Sequence, residues 1–209
     1  MRRVVAVSGT PGTGKSVFAR ALAKKLGAQL VDLNALIRKR KIYRKDVDGT
    51  LIADPRKVRV EFERLIKSLL APVVVEGLLA HLLQPRYVTH VVVLRTKPSV
   101  LKKRLRKRGY SAKKIKDNVE SEALSIILWE AVKNHGMKKV YQIDTTKLKA
   151  QSAVKLFLNA LAGKISLRPG KIDWLEEYFG GGGFKRLGIR PYRKLCSRCH
   201  GSGTIEKGK

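Results

Sequence analysis

The sequence predicts an α/β fold: a parallel sheet with helices on both faces, arranged around a phosphate-binding loop. Three observations predict it. Short valine-rich runs alternate along the chain with stretches of helical period. Two of those runs, 73–76 and 90–94, are nearly continuous in apolar residues, as strands buried on both faces of a parallel sheet must be. Between the first run and the first helical stretch lies a complete G-x-x-x-x-G-K-[ST] pattern.

In chain order, residues 3–7 form a β-branched strand, and the loop after it passes into a helix at 17–26 whose Phe18, Ala21, Leu22 and Leu26 share a face. Gly27 ends this helix as a left-handed cap, and 29–32 is a second short strand. Asp54 and Pro55 are a cap and first-turn pair, opening a helix to about residue 70 with Phe62, Leu65, Ile66 and Leu69 on one side. Pro72 stops it, and the strand 73–76 follows. After the strand 90–94, Pro98 opens a helix to about residue 108 and Ser111 caps a long one toward His135. A last strand at 140–143 and a last helix at 148–161 complete the pattern. The α/β domain is expected over 1–162, with an irregular basic extension over 163–209 that contains a run of four glycines.

Composition limits the function. The chain has 209 residues, with 46 Lys and Arg against 16 Asp and Glu, a net charge of +30. Such a field recruits phosphate-rich partners. Hydrophobic residues make up 44%, enough for a packed core, which excludes disorder of the whole chain. No apolar run approaches the roughly 20 residues of a membrane span, and no signal-peptide pattern follows Arg2 and Arg3. The expected location is cytoplasmic. The two cysteines, Cys196 and Cys199, cannot form a disulfide framework.

The phosphate loop is Gly9-Thr10-Pro11-Gly12-Thr13-Gly14-Lys15-Ser16. Its glycines let successive amides turn inward on a phosphate at a helix N-terminus. Lys15 would reach the β- and γ-phosphates of ATP, and Ser16 offers a hydroxyl to Mg²⁺. Glu76 ends an apolar strand, at the edge of a parallel sheet where ligands bind, and would hold Mg²⁺ or orient the nucleophile. Arg104 and Arg108 lie where a basic helix ends at Gly109, placed to stabilise a transferring phosphoryl group. In the tail, Cys196-Ser197-Arg198-Cys199-His200-Gly201-Ser202-Gly203 is a C-x-x-C-x-G-x-G unit. Cys196 and Cys199 supply two of the four ligands of a Zn²⁺ site, so a dimer or partner would have to complete it; the alternative is a turn without metal.

These motifs, in this order, resemble the adenylate kinase isoenzyme six family, the ribosome-assembly ATPases of archaea and eukaryotes. The resemblance covers about residues 1–163. Its carriers are GTPGTGKS at 9–16, VVVEGLLAH at 73–81, VVVLRTKPSVLKKRLRKRGYSAKKIKDNVESE at 91–122, and the late strand ending VYQIDTT. It implies a P-loop nucleoside monophosphate kinase fold that transfers phosphate from ATP to AMP or another nucleoside monophosphate and can hydrolyse ATP. By the same resemblance, Gly12, Thr13, Gly14, Lys15, Ser16 and Val17 bind ATP and Arg108 is a lid arginine. The AMP side is about 34–54 and the lid about 107–117. The implied partners are the small-subunit ribosomal platform protein of the uS-eleven type and nearby rRNA.

Two departures qualify the resemblance. The family pairs an Asp with a water-positioning His two residues on, and here those positions hold Glu76 and Leu78. His81 either substitutes for that His or is structural. The AMP side, commonly acidic in the family, is here basic at Arg38, Lys39, Arg40, Lys41, Arg44 and Lys45. Dense positive charge beside the cleft fits a phosphate backbone. Two further classes therefore stand beside the kinase: an assembly factor that uses ATP as a switch, and an RNA-binding protein whose loop merely holds nucleotide.

Overall fold

The computed structural model describes residues 3–46 and 51–179. Five strands form one sheet in the order β2-β5-β1-β6-β7, where β1 is Val4–Ser8, β2 Gln29–Asp32, β5 Val73–Glu76, β6 His90–Arg95 and β7 Val140–Asp144. Every pairing in it is parallel. Side chains alternate across the strands, and each face has its own helices. Val5 and Val7 meet Phe18, Leu22 and Ala23 of α1 (Lys15–Leu26) and Val154 and Phe157 of α7 (Ala150–Leu161). Val4 and Ala6 lie against Leu33 and Ile37 of α2 (Leu33–Lys39), Phe62 and Ile66 of α3 (Pro55–Ser68), and Ile127 and Leu128 of α6 (Ile126–His135). The α/β sandwich expected from the alternation is therefore present, with β1 at its centre.

Local chemistry sets the helix ends. Gly27 takes φ 58° and closes α1, while Asp54 accepts from the backbone N–H groups of Arg56 and Lys57 and opens α3. Pro98 opens α4 (Pro98–Lys107). The single helix expected from Ser111 to His135 is two. Its apolar spacing continues through α5 (Ala112–Ala123) into α6, but Ser125 adopts a left-handed φ of 58° and breaks the hydrogen-bond ladder between them. The break turns α6 onto the sheet, and α5 stays beside α4.

The arm between β2 and α3 holds more structure than its composition suggests. Asp32 caps α2 through the N–H groups of Asn34 and Ala35, and an antiparallel pair follows, β3 (Tyr43–Lys45) with β4 (Leu51–Ala53). A run of Lys and Arg masks any alternation there. Beyond α7, Leu167 accepts from the Gln142 N–H and so lies along β7. The chain divides into two units, Met1–Trp174 and Leu175–Lys209. In the second, the described part is the short helix α8 (Leu175–Phe179), where the rings of Tyr178 and Phe179 meet edge to face at 4.9 Å.

Candidate active site

The site forms where β1, β5, β6 and β7 end together. β1 runs into the phosphate loop, and register pairs Val7 with Glu76 and Leu94 with Ile143, so their C-terminal edges are level. Gly9 must be glycine: its φ is 143°, and a Cβ there would lie 2.5 Å from the Leu94 carbonyl oxygen. The loop closes on itself through Thr10, whose carbonyl accepts from the Thr13 N–H at 3.2 Å and the Thr13 hydroxyl at 2.8 Å.

Lys15 rests on the same loop, its ammonium donating to the Gly9 carbonyl at 2.7 Å and the Thr10 carbonyl at 3.1 Å. Burial lowers its pKa to about 8; Glu76 and Glu122 oppose the shift and Arg108 adds to it. An incoming triphosphate supplies stronger acceptors than these carbonyls. The cleft above the loop has a volume of about 330 Å³. Lys15, Ser16 and Glu76 line one part of it, Asn34 and Arg38 of α2 another, and Arg108 and Tyr110 a third. Glu76 is 5% exposed and lines the cleft beside Lys15, whose charged form it favours. A carboxylate and a lysine that line one cleft at the edge of a parallel sheet stand where ligands of such folds bind. Gly77 follows it because a Cβ there would meet the Leu33 Cβ at 2.8 Å.

A second hollow, about 260 Å³, adjoins the loop on the other side. Gly12, Val17, Arg104, Arg108, Thr145 and Leu148 are among its walls, giving a shallow slot of mixed polarity beside the phosphate site. The two arginines singled out in the sequence behave differently. Arg104 is half-buried and donates to the carbonyls of Gly12 (3.3 Å), Thr145 (3.0 Å) and Thr146 (3.0 Å), tying the phosphate loop to the turn after β7. Arg108 is exposed and lines both hollows. A larger groove between α1 and α7 is lined by Lys24, Lys25, Val154 and Lys155 and lies away from these groups.

His81 does not face the cleft. It is 2% exposed, with Nδ1 2.9 Å from the Ser8 hydroxyl and Nε2 2.9 Å from a carboxylate oxygen of Glu130. The Ser8 hydroxyl also lies 3.0 Å from the Leu78 carbonyl oxygen. Burial pulls His81 below its ordinary value, against the pull of Glu130. Of the two roles the sequence left open for His81, this geometry matches the structural one: it braces the turn after Glu76. Leu78 occupies the cleft wall instead.

Sequence reading missed Glu122 and Arg95. Both are buried, at 2% and 1% exposure, and the Arg95 guanidinium donates to the Glu122 carboxylate at 2.7 Å directly behind the phosphate loop. The available signal was a glutamate on the apolar face of α5, in register with Ile115 and Val119. Asn34 and Arg38, four apart on α2, fall within the expected AMP side at about 34–54, and both line the cleft. Cys196 and Cys199 lie outside the described residues. Among the described residues, no group of three or more His, Cys, Asp or Glu side chains gathers to hold a metal ion, and no helix is long and apolar enough to cross a membrane.

Comparison with known proteins agrees with this geometry. Residues 5–125 match the AAA domain family. A "Putative adenylate kinase" of Methanocaldococcus jannaschii is 35% identical over 177 residues, covering 84% of this chain and 94% of that protein. One of Methanosarcina acetivorans is 35% identical over 191 residues, covering 83% and 98%. Among solved structures, shikimate kinase from Acinetobacter baumannii superposes with a TM-score of 0.58 at 16% identity, over 79% of this chain and 97% of that one. A gluconokinase from Sinorhizobium meliloti gives 0.50 at 20% identity, over 79% and 100%. The structural likenesses establish a P-loop kinase fold, and the sequence matches go further: the chain belongs to the AAA-domain kinase family of these archaeal relatives.

Proposed function

We propose that this protein is an adenylate-kinase-type phosphotransferase that moves the γ-phosphoryl group of ATP to a nucleoside monophosphate, AMP foremost. The observation that carries the reading is one cleft lined by the phosphate loop, Lys15 and the Glu76 carboxylate on one side and by Asn34 and Arg38 on another. The relatives' name and the matched motifs support the choice of nucleotide.

In this reading the loop amides of Gly12, Thr13 and Gly14 and the Lys15 ammonium cradle the β- and γ-phosphates. Asn34 and Arg38, on the opposite wall, take the acceptor's phosphate. An oxygen of that phosphate attacks the γ-phosphorus, the bond to the β–γ bridging oxygen breaks, and AMP and ATP become two ADP. Arg108 donates to the transferring oxygens as their charge grows, and Tyr110 helps close the cleft against water. Arg104 contributes indirectly by fixing the loop to the turn after β7. Mg²⁺, when bound, neutralises phosphate charge and aligns the oxygens; the Ser16 hydroxyl and Glu76 carboxylate are the hard oxygen donors such an ion takes.

Hydrolysis of ATP, action in small-subunit maturation with the uS-eleven-type platform protein, and contact with rRNA in the cytoplasm complete the reading. The exposed bases of α2, β3 and the turn between them support the RNA contact: Arg38, Lys39, Arg40, Lys41, Arg44 and Lys45 all face solvent, and Arg38 lines the cleft. The wall position of Leu78 and the inward-facing His81 favour a phosphate acceptor over water. The same features also support the assembly-switch reading, in which turnover is incidental and ATP occupancy governs RNA binding.

The deciding measurement is ADP formed from Mg-ATP with and without AMP, against a Lys15→Ala control. Two ADP per ATP, only when AMP is present, upholds the kinase. Equal ADP and free phosphate without AMP makes water the acceptor and sinks the transfer reading.

A further inference from the structure

Glu122 is the buried acid that the chemistry above leaves unused. Removing a carboxylate from water is costly unless every lone pair finds a partner. One of its oxygens accepts from Arg95 Nε at 2.7 Å and from the Thr96 N–H at 3.0 Å, both at the end of β6. Arg95 Nη2 donates in addition to the Glu122 carbonyl at 2.8 Å. The other oxygen accepts from the Thr10 hydroxyl at 2.5 Å, across 112 positions of the chain. One half of the carboxylate is thus anchored in the sheet, and the other half reaches the phosphate loop.

Thr10 is the residue on which that loop closes. Its carbonyl holds Thr13 and, with Gly9, supports Lys15. The ion pair with Arg95 needs a single oxygen, so the second is available to hold the loop. A phosphate site works best when its donors are already fixed in place before the ligand arrives.

We propose that Glu122 is a positioning residue for nucleotide binding: by pinning the Thr10 hydroxyl it holds the phosphate loop in the conformation whose amides and lysine receive the triphosphate. The inference rests on the reading above, that this loop holds ATP. It adds a determinant that lies outside the loop motif, in the last turn of a helix whose first residue belongs to the expected lid.

The test is the affinity of the full chain for Mg-ATP by titration calorimetry, with KM and kcat measured alongside and the melting temperature followed in parallel. Thr10→Val keeps the side-chain shape and removes the hydroxyl; the expected result is an ATP affinity lower by about tenfold, a loss seen in KM more than in kcat. Thr10→Ser restores the hydroxyl and the affinity. In a Glu122→Gln background, Thr10→Val costs little further affinity, because the two act as one unit. Should Glu122→Gln fail to fold, the Val and Ser variants decide alone. A folded Thr10→Val that binds ATP like the wild type, or a Thr10→Ser that does not recover, overturns the inference while leaving the kinase reading intact. A wild-type chain that binds no ATP overturns both.

Discussion

The two walls of the cleft are built on opposite principles. On the phosphate-loop wall nearly every polar group is engaged: Thr10 with Glu122, Thr13 with Thr10, Arg104 with three carbonyls, and the Thr145 hydroxyl 2.9 Å from the Thr13 carbonyl oxygen. On the other wall, α2 and the β3–β4 pair present exposed bases over a thin apolar base of Leu33, Ile37 and Ile42. A triphosphate is the same in every turnover, so its site can be rigid and set in folding; the other wall carries exposed bases, of which Arg40 pairs with Glu61 at 3.2 Å. The contrast teaches that specificity for the acceptor should reside in α2 and its neighbours, and catalytic power in the loop.

Changes on each wall can break that division. The largest effect expected is Lys15→Ala, a loss of about 100- to 1,000-fold in kcat/KM with an unchanged melting temperature, because it removes charge from the developing transition state and little packing. Turnover assays on the purified variant check it. The two arginines should then separate. Arg108→Ala is expected to lower kcat by about 10- to 100-fold and leave stability alone; Arg104→Ala, which orphans several carbonyls, is expected to cost about 1–3 kcal/mol in denaturant unfolding. If both behave alike, the distinction between a gripping and a bracing arginine fails.

An intermediate effect concerns acid. Burial lowers His135 to about 4, so between its ordinary value near 6.5 and about 4 the unfolded chain binds a proton that the folded one refuses. The contribution of this residue to stability is therefore full above about pH 6.5 and is lost as pH falls toward 4. Urea unfolding at pH 7 and pH 4.5, with His135→Gln as the flatter control, measures it. Smaller still, Arg38→Ala is expected to raise KM for AMP about tenfold and leave KM for ATP unchanged. Equal changes in both would show that the walls are not independent. Arg44→Glu together with Lys45→Glu should lower the slope of RNA affinity against salt by about two, without affecting AMP-dependent turnover.

What the sequence disclosed follows the same division. The phosphate loop is contiguous and needs glycines at fixed places, and Glu76 lies at the end of a run that can only be a buried strand. Both are local patterns and both are where they were expected. Glu122 joins the loop only after the chain has crossed the sheet, so its partner Thr10 is invisible to spacing. Arg104 and Arg108 look alike in a basic run, and only three-dimensional neighbours tell carbonyl from cleft. The helix break at Ser125 has no glycine or proline to announce it, and α2 and the β3–β4 pair hide behind lysines and arginines whose charge outweighs their periodicity.

The anchoring of α5 also has a mechanical side. The helix has 12 residues and its carboxylate attachment is near its C-terminal end. From Glu122 back to Ala112 it spans about 15 Å at 1.5 Å per residue. It is held along its length as well, because Ile115 and Val119 are buried on the same face as Glu122 and the helix packs beside α4. The same carboxylate that steadies the loop therefore fastens one end of this rod both to the end of β6 and to Thr10.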